Sequence, residues 1–167
     1  MTLADILLAD FRVELGSTRK YLEAVPDDKF DWKPHEKSMT LGELVAHLAE
    51  NPSWVSQIAE SDLDFATADY KPLVVSSRAE ALAVLDEYAA AFEAALEGKS
   101  DDAMLETWTM RNGDAVLMQS PRHAALRSTG LHHWIHHRGQ LCVYLRLLGV
   151  PVPGVYGSTA DDTSMMP

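Results

Sequence analysis

Four of the seven histidines fall within six consecutive positions, His132, His133, His136 and His137, in the stretch LHHWIHHRGQLCVYLRLLG from Leu131 to Gly149. Imidazoles four residues apart on a helix stack one turn above the other, and both nitrogens can be aimed at one transition-metal ion. Two such pairs exist, His132 with His136 and His133 with His137. The stripe of His133 and His137 extends through Leu126, Gly130, Leu141, Tyr144 and Leu148; that of His132 and His136 passes Ala125, Thr129, Val143 and Leu147. Both stripes are largely apolar, and periodicity favours His133 and His137 as the inward pair only slightly. A third ligand has to come from another segment. His123 lies ten residues before His133 on the same helix, and His35 sits in a polar loop beside Pro34. His47, in the middle of the amphipathic stretch LGELVAHLAE, is the best candidate. Three imidazoles from two helices leave one position for water or substrate, the pattern of a catalytic rather than a structural site. The competing readings are core histidines bonded to backbone carbonyls and an exposed histidine patch. Several buried neutral imidazoles each need a partner, and charged ones repel; a shared divalent ion resolves both problems.

The elements that must position these rings are helical. Leu3, Ile6, Leu7, Phe11, Leu15, Thr18 and Leu22 repeat at helical spacing over residues 2–25, with Thr2 as N-cap and Asp5 three residues on. Pro26 ends that helix, and a long polar loop containing Trp32, Pro34 and His35 follows. Thr40 and Glu43 form a second capping box ahead of the His47 helix, where Pro52 predicts a kink or a brief interruption before the helix resumes to about Glu60. The acidic segment SDLDFATADYKP reads as a loop. A third helix starts at Ser76 or Ser77, buries Leu82, Leu85, Tyr88, Phe92 and Leu96, and stops at Gly98. Asn112-Gly113 between two alternating runs predicts a small hairpin or an extended loop, and Pro121 opens the histidine helix. The expected fold class is therefore all-α: one domain over 1–167, a four-helix bundle with a long loop between helices 1 and 2 and a small hairpin or extended loop before helix 4, and a mobile tail over 155–167.

Composition narrows the partners. A net charge of −11 with scattered Lys and Arg disfavours nucleic acid and anionic membrane surfaces. The single cysteine, Cys142, lies in an apolar run and reads as a small core residue, and it suits a reducing cytosol. The N-terminus carries Asp5 and Asp10 within its apolar part and does not read as a signal peptide, so a cytoplasmic location is expected.

The segment KPHEKSMTLGELVAHLAE around His47, the NGD turn with SPR after it, and HHWIHHRGQLCVYLRLLGVPVPGVYG resemble, over essentially the whole chain, the DinB/YfiT-like family of damage-inducible metalloenzymes, not the polymerase that shares the name. The resemblance implies a divalent metal held by His47, His133 and His137 and a homodimer as the assembly; imidazole suits zinc, nickel, copper and iron alike, and zinc or nickel is the expected metal. His132 and His136 then lie outside the coordination sphere, where His136 orients a neighbour or meets solvent. Family members with assigned activities resemble transferases that use small thiols such as bacillithiol or mycothiol, and some hydrolases. The expected function is activation of a thiol or water for transfer or hydrolysis on a small electrophilic substrate. The alternative is a non-catalytic module that binds a small molecule or dimerises around its metal. Trp54, Trp134 and Tyr144 are candidates for the pocket wall or for packing. Gln140, one turn after His137, is a candidate to position a ligand or simply a rim residue. Arg138 is a candidate anion clamp or ion-pair partner. Glu43, one turn before His47, is a candidate base with an equally good capping role.

Overall fold

The computed structural model describes residues 1–163. Its elements run α1 (Leu3–Glu23), a 3-10 turn (Asp27–Lys29), α2 (Leu41–Glu60), β1 (Leu63–Asp64), α3 (Arg78–Leu96), α4 (Asp101–Leu105), β2 (Thr107–Asn112) and β3 (Ala115–Pro121). A continuous helical run, α5, follows the hairpin. It begins as Arg122–Ala125, widens to π-helix over Leu126–His132 and returns to α-helix over His133–Leu147.

Capping sets the first two helices as their sequences demand. The Thr2 hydroxyl accepts from the Asp5 amide while the Asp5 carboxylate accepts from the Thr2 amide, and Thr40 and Glu43 repeat the exchange at α2. Leu7, Phe11 and Leu22 of α1, Leu41, Leu44 and Leu48 of α2 and Leu85, Phe92 and Leu96 of α3 are all buried in one core. Helix α2 packs along α3, α1 packs against α3, and α5 lies against both α2 and α1. No helix among the described residues is long and apolar enough to cross a membrane.

The all-α, four-helix expectation is overturned. Among the described residues, five helices are accompanied by a three-stranded mixed sheet in the order β1-β2-β3. Strands β2 and β3 form the hairpin around Asn112-Gly113, with Gly113 at φ +58°, while β1 pairs parallel to β2 through Leu63↔Met110 and Asp64↔Arg111. The third strand comes from the acidic segment expected to be a loop. Carboxylates hold it there: Asp62 accepts from the Thr109 amide at 3.0 Å, and Asp64 accepts from the Gly113 amide at 2.9 Å. These bonds run from side chain to backbone, so they leave no hydrophobic alternation to read in the sequence. Helix α4 is also additional; Ser100 caps it and Met104 is its buried contact with the core.

The C-terminal segment, expected to be mobile from residue 155, is hydrogen-bonded as far as Asp162. Tyr156 donates to Glu14, Asp161 pairs with Arg146, and Asp162 accepts from Gly154. Residues 164–167 lie outside the described residues.

Candidate metal centre

Helix α2 reaches the site as one uninterrupted helix despite Pro52. Proline has no amide to give the Leu48 carbonyl four residues earlier. The indole Nε1 of Trp134 donates to that carbonyl at 2.9 Å instead. The bond that proline removes within α2 is thus replaced by one across to α5, next to His133, and no interruption develops. Trp134 is otherwise a core residue, stacked on Phe11 with ring centroids 5.5 Å apart. A few residues earlier on α5, Gly130 backs onto α2 so closely that a Cβ there would meet Val55 Cγ2 at 2.9 Å. The two helices approach at this point because position 130 carries no side chain.

His47, His133 and His137 converge. One ligand atom from each lies within 4.8 Å of the others. His47 Nε2 and His133 Nε2 are 2.9 Å apart, and the His137 ring centroid is 4.4 Å from each of the other two. Imidazole nitrogens bond a first-row divalent ion at about 2.0–2.1 Å, so nitrogens this close suit a shared ion. His133 and His137 are on the stripe that includes buried Leu126, Gly130 and Leu141, whereas His132 and His136 are exposed, as are Val143 and Leu147 further along their stripe.

The far nitrogens are also held. His47 Nδ1 is 3.2 Å from Glu50 Oε1, and Glu50 accepts further bonds from the Tyr70 hydroxyl at 2.9 Å and the Leu73 amide at 3.2 Å. The Tyr70 phenol is pushed up to about 12, by burial first and then by its bond to Glu50, so it remains a donor. His137 Nδ1 is 2.8 Å from Gln140 Oε1, and the Gln140 amide in turn reaches His136 Nε2 at 3.0 Å. A carboxylate or amide oxygen that accepts from Nδ1–H leaves the Nε2 lone pair facing the centre. Glu50 went unnoticed in the sequence. Its one signal there is a carboxylate three residues after His47 in an otherwise apolar turn. Replacing it by Gln keeps an acceptor but removes the charge that makes His47 a better donor. We expect Glu50→Gln to weaken divalent-ion binding about 10- to 100-fold, measured by competition with a chromophoric chelator.

Burial makes the apoprotein site acid-sensitive. The His133 imidazole is pushed down to about 4, first by desolvation and then by His137, His47 and His136, and His137 is lowered chiefly by desolvation. Above the ordinary histidine value of about 6.5 both folded and unfolded chains are neutral at these positions, and the effect vanishes. As pH falls from there towards 4, the unfolded chain takes up protons that the folded chain refuses, so stability falls. Urea midpoints of metal-free protein should drop between pH 7.5 and pH 5, with a shallower drop in His133→Gln.

The remaining candidates separate cleanly. The Tyr144 hydroxyl donates to the Met39 carbonyl at 3.1 Å, its ring meets Trp32 edge-on, and it lines the cleft beside His137. Trp54 meets His47 edge-on at 6.0 Å between centroids and lines a different cavity. Arg138 points away from the histidines into an ion pair with Glu14 at 2.7 Å. The Glu43 carboxylate is taken by the Thr40 amide. His35 is exposed and accepts from the Lys37 amide, and Cys142 is half-buried. Two clefts meet the centre and share Lys37, Ser38 and Met39 as their outer wall. One passes over His47 and Glu50, the other over His137 and Gln140.

The sequence matches the model of the DinB family over residues 2–164. Among curated relatives, the uncharacterized protein YrdA of Bacillus subtilis (strain 168) is 25% identical over 162 residues, covering 95% of this chain and 90% of that protein. Among solved structures, a DinB-like protein from Bacillus cereus ATCC 10987 superimposes with a TM-score of 0.69 at 24% identity, over 90% of this chain and 95% of that one. A mycothiol-dependent maleylpyruvate isomerase superimposes with a TM-score of 0.52 at 15% identity, over 99% of this chain and 68% of that one. At these identities the two structures speak for the fold.

Proposed function

Since the chain belongs to the DinB family, we propose that it is a metal-dependent enzyme acting on a small electrophile with a thiol or water as the nucleophile. The observation that carries the reading is the meeting of three imidazoles from two helices, with the far nitrogens of His47 and His137 held by Glu50 and Gln140. A structural entity held in place for its own sake has no need of an accessible side, and here two clefts open onto the histidines. A divalent ion, zinc or nickel, would be held by His47, His133 and His137, and would supply the positive charge that lowers the pKa of a nearby thiol or water.

The chain's own groups then have separate tasks. Glu50 and Gln140 hold two rings in the tautomer that presents Nε2 inward. Tyr70 and the Leu73 amide keep Glu50 from turning away. Lys37, on the wall common to both clefts, offers an ammonium to an anionic group of a reactant. A thiol as co-reactant is favoured over water because a structural relative is named for its dependence on mycothiol.

The test is turnover of 1-chloro-2,4-dinitrobenzene with a panel of low-molecular-weight thiols, using protein loaded with zinc or nickel and the same protein stripped by chelation. In this reaction sulfur bonds to the ring carbon, the carbon–chlorine bond breaks, and chloride and the thiol proton leave. A rate that requires the metal and at least one thiol supports the reading. Metal binding without turnover of this electrophile or of ester and amide substrates makes the protein a metal-stabilised binding module instead.

A further inference from the structure

Beside the metal centre, on the other face of the Tyr70–Leu73 segment, lies a second cavity of about 330 Å³. That volume falls within the range of about 300–1,000 Å³ typical of small-molecule sites. Four aromatic rings line it, from Trp54 on α2, Phe65 just after β1, Tyr70 in the following loop and Tyr88 on α3. We propose that this cavity binds the flat, uncharged aromatic part of a small molecule, and that it does so without the metal.

Three observations carry the inference. The first is the exposure of the walls. Phe65 is 43% and Tyr70 47% exposed, although the Tyr70 ring is tied by its hydroxyl to Glu50 and the Phe65 backbone by its amide to the Arg111 carbonyl. Large rings at a surface concavity leave apolar area in water that a planar guest would cover. The second is ring geometry. Trp54 and Tyr70 meet edge-on at 5.0 Å between centroids, so they present differently oriented faces and edges, and an aromatic guest can satisfy both. The third is charge. An aromatic box can also take an organic cation, but that needs a carboxylate free to meet it. Of the two carboxylates here, Glu50 accepts three bonds, and the exposed Asp69 is offset in charge by Lys71, 3.8 Å away on the same rim. The guest is therefore neutral. Tyr88, placed in the core by periodicity, is only half-buried because it faces this space.

The inference goes beyond the proposed reaction and stands independently of it, since it concerns the chelator-stripped chain. Equilibrium dialysis of the metal-free protein against 2-naphthol should show saturable binding at one site per chain. Phe65→Ser, a change at an exposed side chain that leaves the core untouched, should weaken it at least about fivefold, and Trp54→Ala at least as much. Lys37→Ala, on the wall of the other clefts, should leave it unchanged. Non-saturable uptake would overturn the proposal, as would equal affinity in the native and Phe65→Ser chains. Tighter binding of tetramethylammonium than of 2-naphthol would overturn the assignment to a neutral guest.

Discussion

The His137→Ala chain binds zinc or nickel at least about a hundredfold more weakly than the native chain, a loss of about 3 kcal/mol or more. The scale follows from what the side chain does. Removing a group that merely orients a ligand costs about 10- to 100-fold, and His137 is one of three nitrogens that meet at the centre. Two imidazoles from different helices then remain, and Gln140, which holds the His137 ring, has nothing left to hold. His47→Ala carries the same expectation, since it removes the one ring contributed by α2. His132→Ala is the matched control, because its ring is exposed and outside the cluster, and its affinity should equal that of the native protein. Competition titration with a chromophoric chelator measures all three, with circular dichroism to confirm folding. Equal affinities in His137→Ala and His132→Ala would leave the centre without its basis.

The largest expected effect on stability lies on the opposite side of α5. Arg138→Ala lowers the unfolding free energy by about 3 kcal/mol or more, read from urea denaturation of the metal-free protein. Arg138 is 3% exposed and Glu14 9% exposed. The guanidinium makes the ion pair, donates to the Glu14 carbonyl and the Thr18 hydroxyl, and lies over the Tyr156 ring with its carbon 5.1 Å from the centroid. Truncating it leaves the Glu14 carboxylate buried with the Tyr156 hydroxyl as its remaining partner. Replacing both ions by methionine should recover much of the loss, because the penalty comes from an unmatched charge rather than from the absence of a favourable pair. Sequence reading left Arg138 open between an anion clamp and an ion pair; the structure pairs it with Glu14.

How far the molecule was readable before folding depended on whether a contact leaves a periodic trace. The capping boxes at Thr2 and Thr40, the Asn112-Gly113 turn and the α1 stripe through Leu7, Phe11, Thr18 and Leu22 leave one and appear where the spacing puts them, whereas Ile6 of that stripe is exposed. Strand β1 leaves none, because Asp62 and Asp64 secure it through backbone amides rather than through buried side chains. Pro52 misleads for a similar reason: the donor that replaces its missing amide is Trp134, some eighty positions away in sequence. At the centre, periodicity could barely separate the two histidine pairs, and the π-helical segment explains why. An ordinary α-helical continuation from buried Ala125 leads through Thr129 to His132 and His136. The wider turn over Leu126–His132 carries the inward face on to Gly130, His133 and His137 instead. Glu50 was missed because its partners, Tyr70 and Leu73, come from a loop with no pattern of its own.

That wide turn has a bearing on how the centre can be lost. Each residue of an α-helix advances the chain by about 100° around the axis. Were the coil between positions 126 and 132 to close to regular pitch with every residue kept, each later side chain would swing by about that angle relative to those before it. The composition of the helix would not change, yet the outward rings would be carried towards the interior and the inward ones away from it. The pitch of this short stretch decides which imidazoles face α2.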